Sequence, residues 1–186
     1  MRISKLLSAR DGIATPVLAA FMMVTMFFVF GAFSLISEVE NDRAVAKAAL
    51  DVALRSAAAN GTGIVPGTTL VVWNDSTALS AAEQAIPMAL PVALAGSSGS
   101  GATFTPDSNA PRNWGTVSLT QFATGTGPPP SCSGGLPESA PSQSWVSASL
   151  TIPLTIGFAG VAFHLDVTAC GSEVANTYNG SQFNVP

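Results

Sequence analysis

The chain has 186 residues, a formal net charge of −4, a hydrophobic fraction of 47% and charged residues at only 10%. That length holds one ordinary domain beside a membrane segment and argues against a second, because domains run to roughly 100–150 residues. Arg112 is the only basic residue after Arg55, so a nucleic-acid partner would find no electrostatic footing.

Two features account for the shortage of charge. One is an uncharged N-terminal block, and the other is a remainder whose polar surface is built from Ser, Thr, Asn and Gly. Residues 1–12 form a short basic leader with Arg2, Lys5 and Arg10. Ile13 to Ile36, IATPVLAAFMMVTMFFVFGAFSLI, then contains no ionisable residue. As a helix this stretch spans about 36 Å, enough to cross a hydrocarbon core of about 30 Å with some tilt. The reading is a transmembrane helix over 13–36. A cleaved secretory signal is the rival, but the apolar part of a signal is about 7–15 residues, shorter than this span, and the stretch after it reads on as helix with no obvious cleavage site. A buried globular helix would be expected to show a polar face over this length. Lys and Arg precede the span while Glu38, Glu40 and Asp42 follow it, which puts the N-terminus in the cytoplasm and the rest of the chain outside. Pro16 is compatible with a helix that starts near Gly12 or Ile13.

Residues 37–60 are expected to continue the helix beyond the membrane. SEVENDRAVAKAALDVALRSAAA lacks Gly and Pro, and Val45, Ala49, Val52 and Ala53, with Ala46, Leu50 and Leu54, recur at helical spacing. Arg43, Lys47, Asp51 and Arg55 recur every four residues on another face, read as solvated. Asn60 and Gly61 supply the stop.

Residues 61–186 read as an extracytoplasmic β-rich domain. Thr68–Trp73 is a predicted strand ending in Asn74-Asp75, and Ala78–Ala85 a short helix entered from Ser76 or Thr77 and closed by Pro87 and Pro91. Residues 95–102 and 125–135, low in complexity, read as loops, with a strand over 115–122 between them. The clearest strands are SWVSASLTIPLTIGF and AGVAFHLDVTACGSE, where Val146, Ala148, Leu150 and Ile152 alternate with polar residues, as do Phe163, Leu165, Val167 and Ala169. Residues 157–160 make the return between two antiparallel strands, with one face on the long helix and the other in water. Pro153 should end the first strand, bulge it or place it at an edge. The fold class is α+β: a long N-terminal membrane-spanning helix, its Ala-rich soluble continuation, and a small antiparallel β domain.

Cys132 and Cys170 are the two cysteines, and outside the cytoplasm such a pair is most simply a disulfide closing a loop of about 39 residues, worth roughly 4 kcal/mol in the chain-entropy account. Scattered Cys and a single His164 lack metal-ligand spacing. His164 sits mid-strand, where a cross-strand polar contact is expected rather than a base serving a nucleophile. Asp75, Glu83, Asp107, Glu138, Asp166 and Glu173 stand isolated in sequence, and the Gly-rich stretches lack the Lys and strand-to-helix setting of a phosphate loop. The reading is non-enzymatic, with no cofactor and no small-molecule substrate identified.

RDGIATP, an uncharged span and DRAVAKAALDVALRSAAANG together resemble the N-terminus of TadE/TadG-like proteins of Flp (tight-adherence) pilus assembly, and SWVSASLTIPLTIGFAGVAFHLDVTACGSE resembles the paired strands of that family. The resemblance covers about the first sixty residues and, more loosely, the last forty. It implies a pilin-like subunit or assembly component, membrane-held or in an extracellular filament, whose partners are copies of itself, other pilins and pilus assembly proteins. It also implies prepilin-type processing between Gly12 and Ile13; Val17 stands where processed pilins carry Glu, so a retained anchor and a cleaved one both stay open. Ala19, Ala20, Gly31 and Ala32 offer small-residue faces to a neighbouring helix, and Phe21, Phe27, Phe28, Phe30 and Phe33 with Met22, Met23 and Met26 face either lipid or neighbouring helices. The alternative class is an anchored surface module that binds a ligand or surface through exposed loops.

Overall fold

The structure is a computed structural model that describes residues 4–64, 71–127, 144–158 and 160–175. Two compact units result, Met1–Glu40 and Asn41–Pro186. The elements in chain order are α1 (Ser4–Asn60), β1 (Thr62–Ile64), β2 (Val71–Trp73), α2 (Asp75–Ala89), β3 (Val92–Ser98), β4 (Gly101–Pro106), β5 (Val117–Thr126), β6 (Ser144–Phe158) and β7 (Val161–Ala175). This is the expected α+β class.

In the first unit α1 begins at Ser4, earlier than expected, so Pro16 lies inside the helix rather than in its first turn. Proline there costs the helix one amide donor toward the Gly12 carbonyl, a local loss that the run of bonds on either side outlasts. The helix from Pro16 onward is long and apolar enough to cross a membrane, with a mean hydropathy of 2.2 and none of the apolar window buried.

In the second unit the rest of α1 buries Ala46, Ala49, Leu50, Ala53, Leu54 and Ala57, a stripe at three- and four-residue spacing. Val52, expected on that stripe, is instead 48% exposed, because at 3.6 residues per turn it points past the edge of the buried face. Of the row expected to be solvated, Arg43, Lys47 and Arg55 are exposed, whereas Asp51 is half-buried beside Gly171 of β7. Alanine makes the helix face flat, so the backbone of β7 can lie close: a Cβ added at Gly171 would sit 3.2 Å from Leu54 and 3.5 Å from Leu50. Burying each such leucine stabilises by about 1.5–3 kcal/mol. The Arg55–Glu173 pair, 3.9 Å apart and well exposed, is worth about 0–1 kcal/mol, so packing and not charge seats the helix.

The main sheet is a five-stranded antiparallel meander in the order β3-β4-β5-β6-β7, and β1 and β2 form a separate pair. Residues 95–102, expected to be a loop, are strand on both sides of a turn at residues 99–100. Gly and Ser gave no alternation to read, yet β3 pairs with β4 from Val92↔Pro106 to Ser98↔Gly101. β5 is longer than expected, reaching Thr126 through a bulge between Thr120 and Ala123. The remainder of the 125–135 segment, from residue 128 on, lies outside the described residues, as do residues 68–70 of the strand expected over Thr68–Trp73.

Pro153 neither ends nor bulges β6, which pairs with β7 without interruption from Ser144↔Ala175 to Phe158↔Val161. The Pro153 carbonyl accepts from the Gly115 amide at 2.7 Å, on the side away from β7. Amide nitrogen and carbonyl of one strand residue share a side, so the missing donor falls toward the short Asn113–Gly115 segment, and the β7 ladder loses nothing. α2 also outruns its expected span at both ends. Asn74 is the cap, its Oδ1 accepting from the Thr77 amide at 3.2 Å, and Pro87 is accommodated in the last turn.

Candidate functional site

The chemistry-bearing residues are dispersed. His164 pairs with Thr155 across β6 and β7, with Nδ1 3.2 Å from the Thr155 hydroxyl oxygen, which is the expected cross-strand polar contact. Glu83 on α2 accepts from the Ser97 hydroxyl, and the Asp75 carboxylate accepts from the Thr124 hydroxyl. Asp107 accepts from the Asn109 amide at 2.7 Å, forming a turn. Among the described residues no group of three or more His, Cys, Asp or Glu is placed to hold a metal ion. These carboxylates dock helix to sheet and close turns; they do not converge.

Three features remain as candidate functional surfaces. The first is the apolar stretch of α1. Phe21, Met23 and Phe30 are 69%, 73% and 69% exposed. The rings of Phe27 and Phe28 meet edge to face with centroids 6.1 Å apart. The Thr25 hydroxyl donates to the Phe21 carbonyl at 2.9 Å, which satisfies a polar group that hydrocarbon could not. Ala19, Ala20 and Ala32 are exposed and Gly31 is half-buried. Gly12 and Ile13 lie within α1, while their surroundings fall outside the described residues.

The second is a concavity of about 320 Å³ where the β3–β4 turn meets the β5 bulge, lined by Ser97, Ser100, Thr103, Ser118, Thr120 and Gln121 among others. Gln121 adopts φ 54, a left-handed conformation that side chains other than Gly rarely take, and its Oε1 accepts from the Ser149 hydroxyl at 3.0 Å. Its lining is neutral and hydroxyl-rich. Sequence reasoning missed this place, since neither the bulge nor the left-handed glutamine has a local sequence signature.

The third is the distal half of the β6–β7 hairpin, where Val161, Phe163 and Leu165 are exposed although they belong to the inward-facing series of β7. Nearer the middle of β7, Cys170 pairs in register with Ser149 and is half-buried. Cys132 lies outside the described residues, and no free cysteine occurs among the described ones.

No family model matches the chain, and no curated protein or solved structure matches it either.

Proposed function

We propose that this chain is a non-enzymatic, pilin-like subunit or assembly component of a surface pilus, anchored by one membrane pass with its N-terminus in the cytoplasm and its domain outside. The observation that carries the reading is the apolar stretch of α1, from Pro16 onward, which is long and apolar enough to span a bilayer and exposes its large side chains. A surface of that size demands lipid or neighbouring helices. The resemblance of RDGIATP and DRAVAKAALDVALRSAAANG to TadE/TadG-like proteins selects the pilus among the assemblies that would supply such neighbours. The basic flank before the span supports the orientation. A Cys132–Cys170 disulfide belongs to the same reading, as it suits an oxidising compartment and ties the Pro/Gly-rich segment to β7.

The test separates helix packing from plain anchoring. Gly31→Leu and Ala32→Leu leave membrane insertion intact, because Leu favours the bilayer, but block close approach of a second helix. Protein in the membrane fraction is compared with protein in sheared filaments. Normal membrane levels with reduced filament incorporation are expected; undiminished incorporation in both variants counts against the packing role.

The concavity beside Gln121 favours a second reading, an anchored module that binds a neutral, hydroxyl-rich ligand, since left-handed non-glycine residues cluster at functional sites. That reading requires saturable ligand binding lost in Ser100→Leu with filament incorporation unchanged.

A further inference from the structure

The β7 side of the distal β6–β7 hairpin carries an exposed apolar strip at the edge of the sheet. In register, Ile152 faces Val167, Leu154 faces Leu165 and Ile156 faces Phe163. Side chains alternate along a strand, so these pairs share one face, continuous with Val146, Ala148, Leu150 and Ala169, which pack inward. On β6 the face is covered at Leu154 and Ile156, which are 1% and 5% exposed. On β7 it is not: Leu165, Phe163 and Val161 are 46%, 48% and 54% exposed. From Ala140 to Leu165 the chain carries no Asp, Glu, Lys or Arg.

The strip is bare because β7 is the edge strand of the sheet, and the direction of the hairpin places it. Its open end is fixed near the Asn60 end of α1. The Asn74 amide donates to the Gly61 carbonyl at 2.8 Å, Asp75 holds Thr124, and Thr126 pairs with Ser144, which pairs with Ala175. Along the helix, Glu173 reaches Arg55, and Gly171 lies against Leu50, Asp51 and Leu54. The tip therefore points toward the Asn41 end of this part of the helix. From Gly171 to Val161 the strand extends about 33 Å. From Asp51 to Asn41 the helix covers about 15 Å. The strand therefore has the reach to bring its tip level with the Asn41 end of the helix.

We propose that the hairpin tip, residues 154–165, is a membrane-contact element that lays Val161, Phe163 and Leu165 into the interfacial region of the bilayer. The inference rests on the reading of the N-terminal stretch as a membrane span, which the chain enters just before Asn41. Lipid is the occupant that fits. The tip offers apolar area without a charge to specify a protein partner, and it extends toward the end of the domain from which the span departs. The opposite face of the tip, with Thr155 and His164, keeps its polar groups paired to each other and toward water.

The test is photo-crosslinking of the full chain in vesicles of phosphatidylcholine and phosphatidylglycerol. p-Benzoylphenylalanine replaces Phe163, Val24 within the span, or Met88, which is 85% exposed on α2. Each replaced side chain is exposed, so folding is preserved. Mass spectrometry should find lipid adducts at positions 24 and 163 and none at 88. Adducts at 24 with none at 163 overturn the tip contact and leave the membrane span standing. Protein–protein adducts in place of lipid at 163 also overturn it, showing that another chain covers the face. Absence of lipid adducts at 24 removes the span and the inference with it.

Discussion

Replacing Gly61 by alanine tests how the helical layer closes on itself. Gly61 ends α1, its amide donating to the Ala57 carbonyl at 2.7 Å while its carbonyl accepts from the Asn74 amide at 2.8 Å. A Cβ added there would lie 2.3 Å from the Ala78 Cβ, 2.7 Å from the Ala78 Cα and 2.7 Å from the Ala57 carbonyl oxygen. Carbon atoms prefer separations of about 3.5–4.0 Å, so α1 and α2 must part by roughly 1 Å. None of the three obstructing atoms can swing away on a side-chain torsion. Overpacking of this kind costs about 1–3 kcal/mol, and weakening the Asn74–Gly61 hydrogen bond adds about 1 kcal/mol. A total of about 3 kcal/mol lowers the melting temperature by about 6–12 °C for a chain of this size. The assay is thermal unfolding of the full chain in detergent, followed by circular dichroism. Gly99→Ala, where an added Cβ meets nothing within 4 Å, is the control and should move stability by no more than about 0.5 kcal/mol. Adding Ala78→Gly to Gly61→Ala should restore only part of the loss, since the Ala78 Cα and Ala57 oxygen still obstruct. Melting of Gly61→Ala within about 2 °C of the wild type would refute the close approach of the two helices.

Two further outcomes bear on the proposed topology and staple. Protease or an impermeant thiol reagent on a reporter cysteine should reach residues beyond Asn60 from outside intact cells or spheroplasts; a cytoplasmic location for Trp114 would reverse the orientation inferred from Arg2, Lys5 and Arg10. Freshly isolated protein should show no reactive thiol under non-reducing conditions, and Cys170→Ser should cost about 2–4 kcal/mol in unfolding; two titratable thiols in the wild type would remove the proposed disulfide.

Local chemistry made part of this protein legible without any fold. An uncharged stretch from Ile13 to Ile36 cannot be shed into water at modest cost, and an Ala-rich run with three- and four-residue apolar spacing has few alternatives to helix. The alternation from Trp145 to Ile152 and from Phe163 to Ala169 likewise specified strands, because a period of two fixes which residues share a face. What the sequence could not decide depends on partners distant along the chain. Residues 95–102 became a hairpin because β5 is there to pair with β4, and glycine and serine carry no pattern that announces it. Pro153 reads as a strand terminator in isolation, yet its missing donor is harmless once β7 and the Asn113–Gly115 segment take opposite sides of β6. The left-handed Gln121 follows from a bulge that two sheet neighbours impose. The bare strip of Val161, Phe163 and Leu165 has the same origin: periodicity placed them inward, but β7 closes the sheet as an edge strand, so the face that is covered at Leu154 and Ile156 on β6 is exposed beside them.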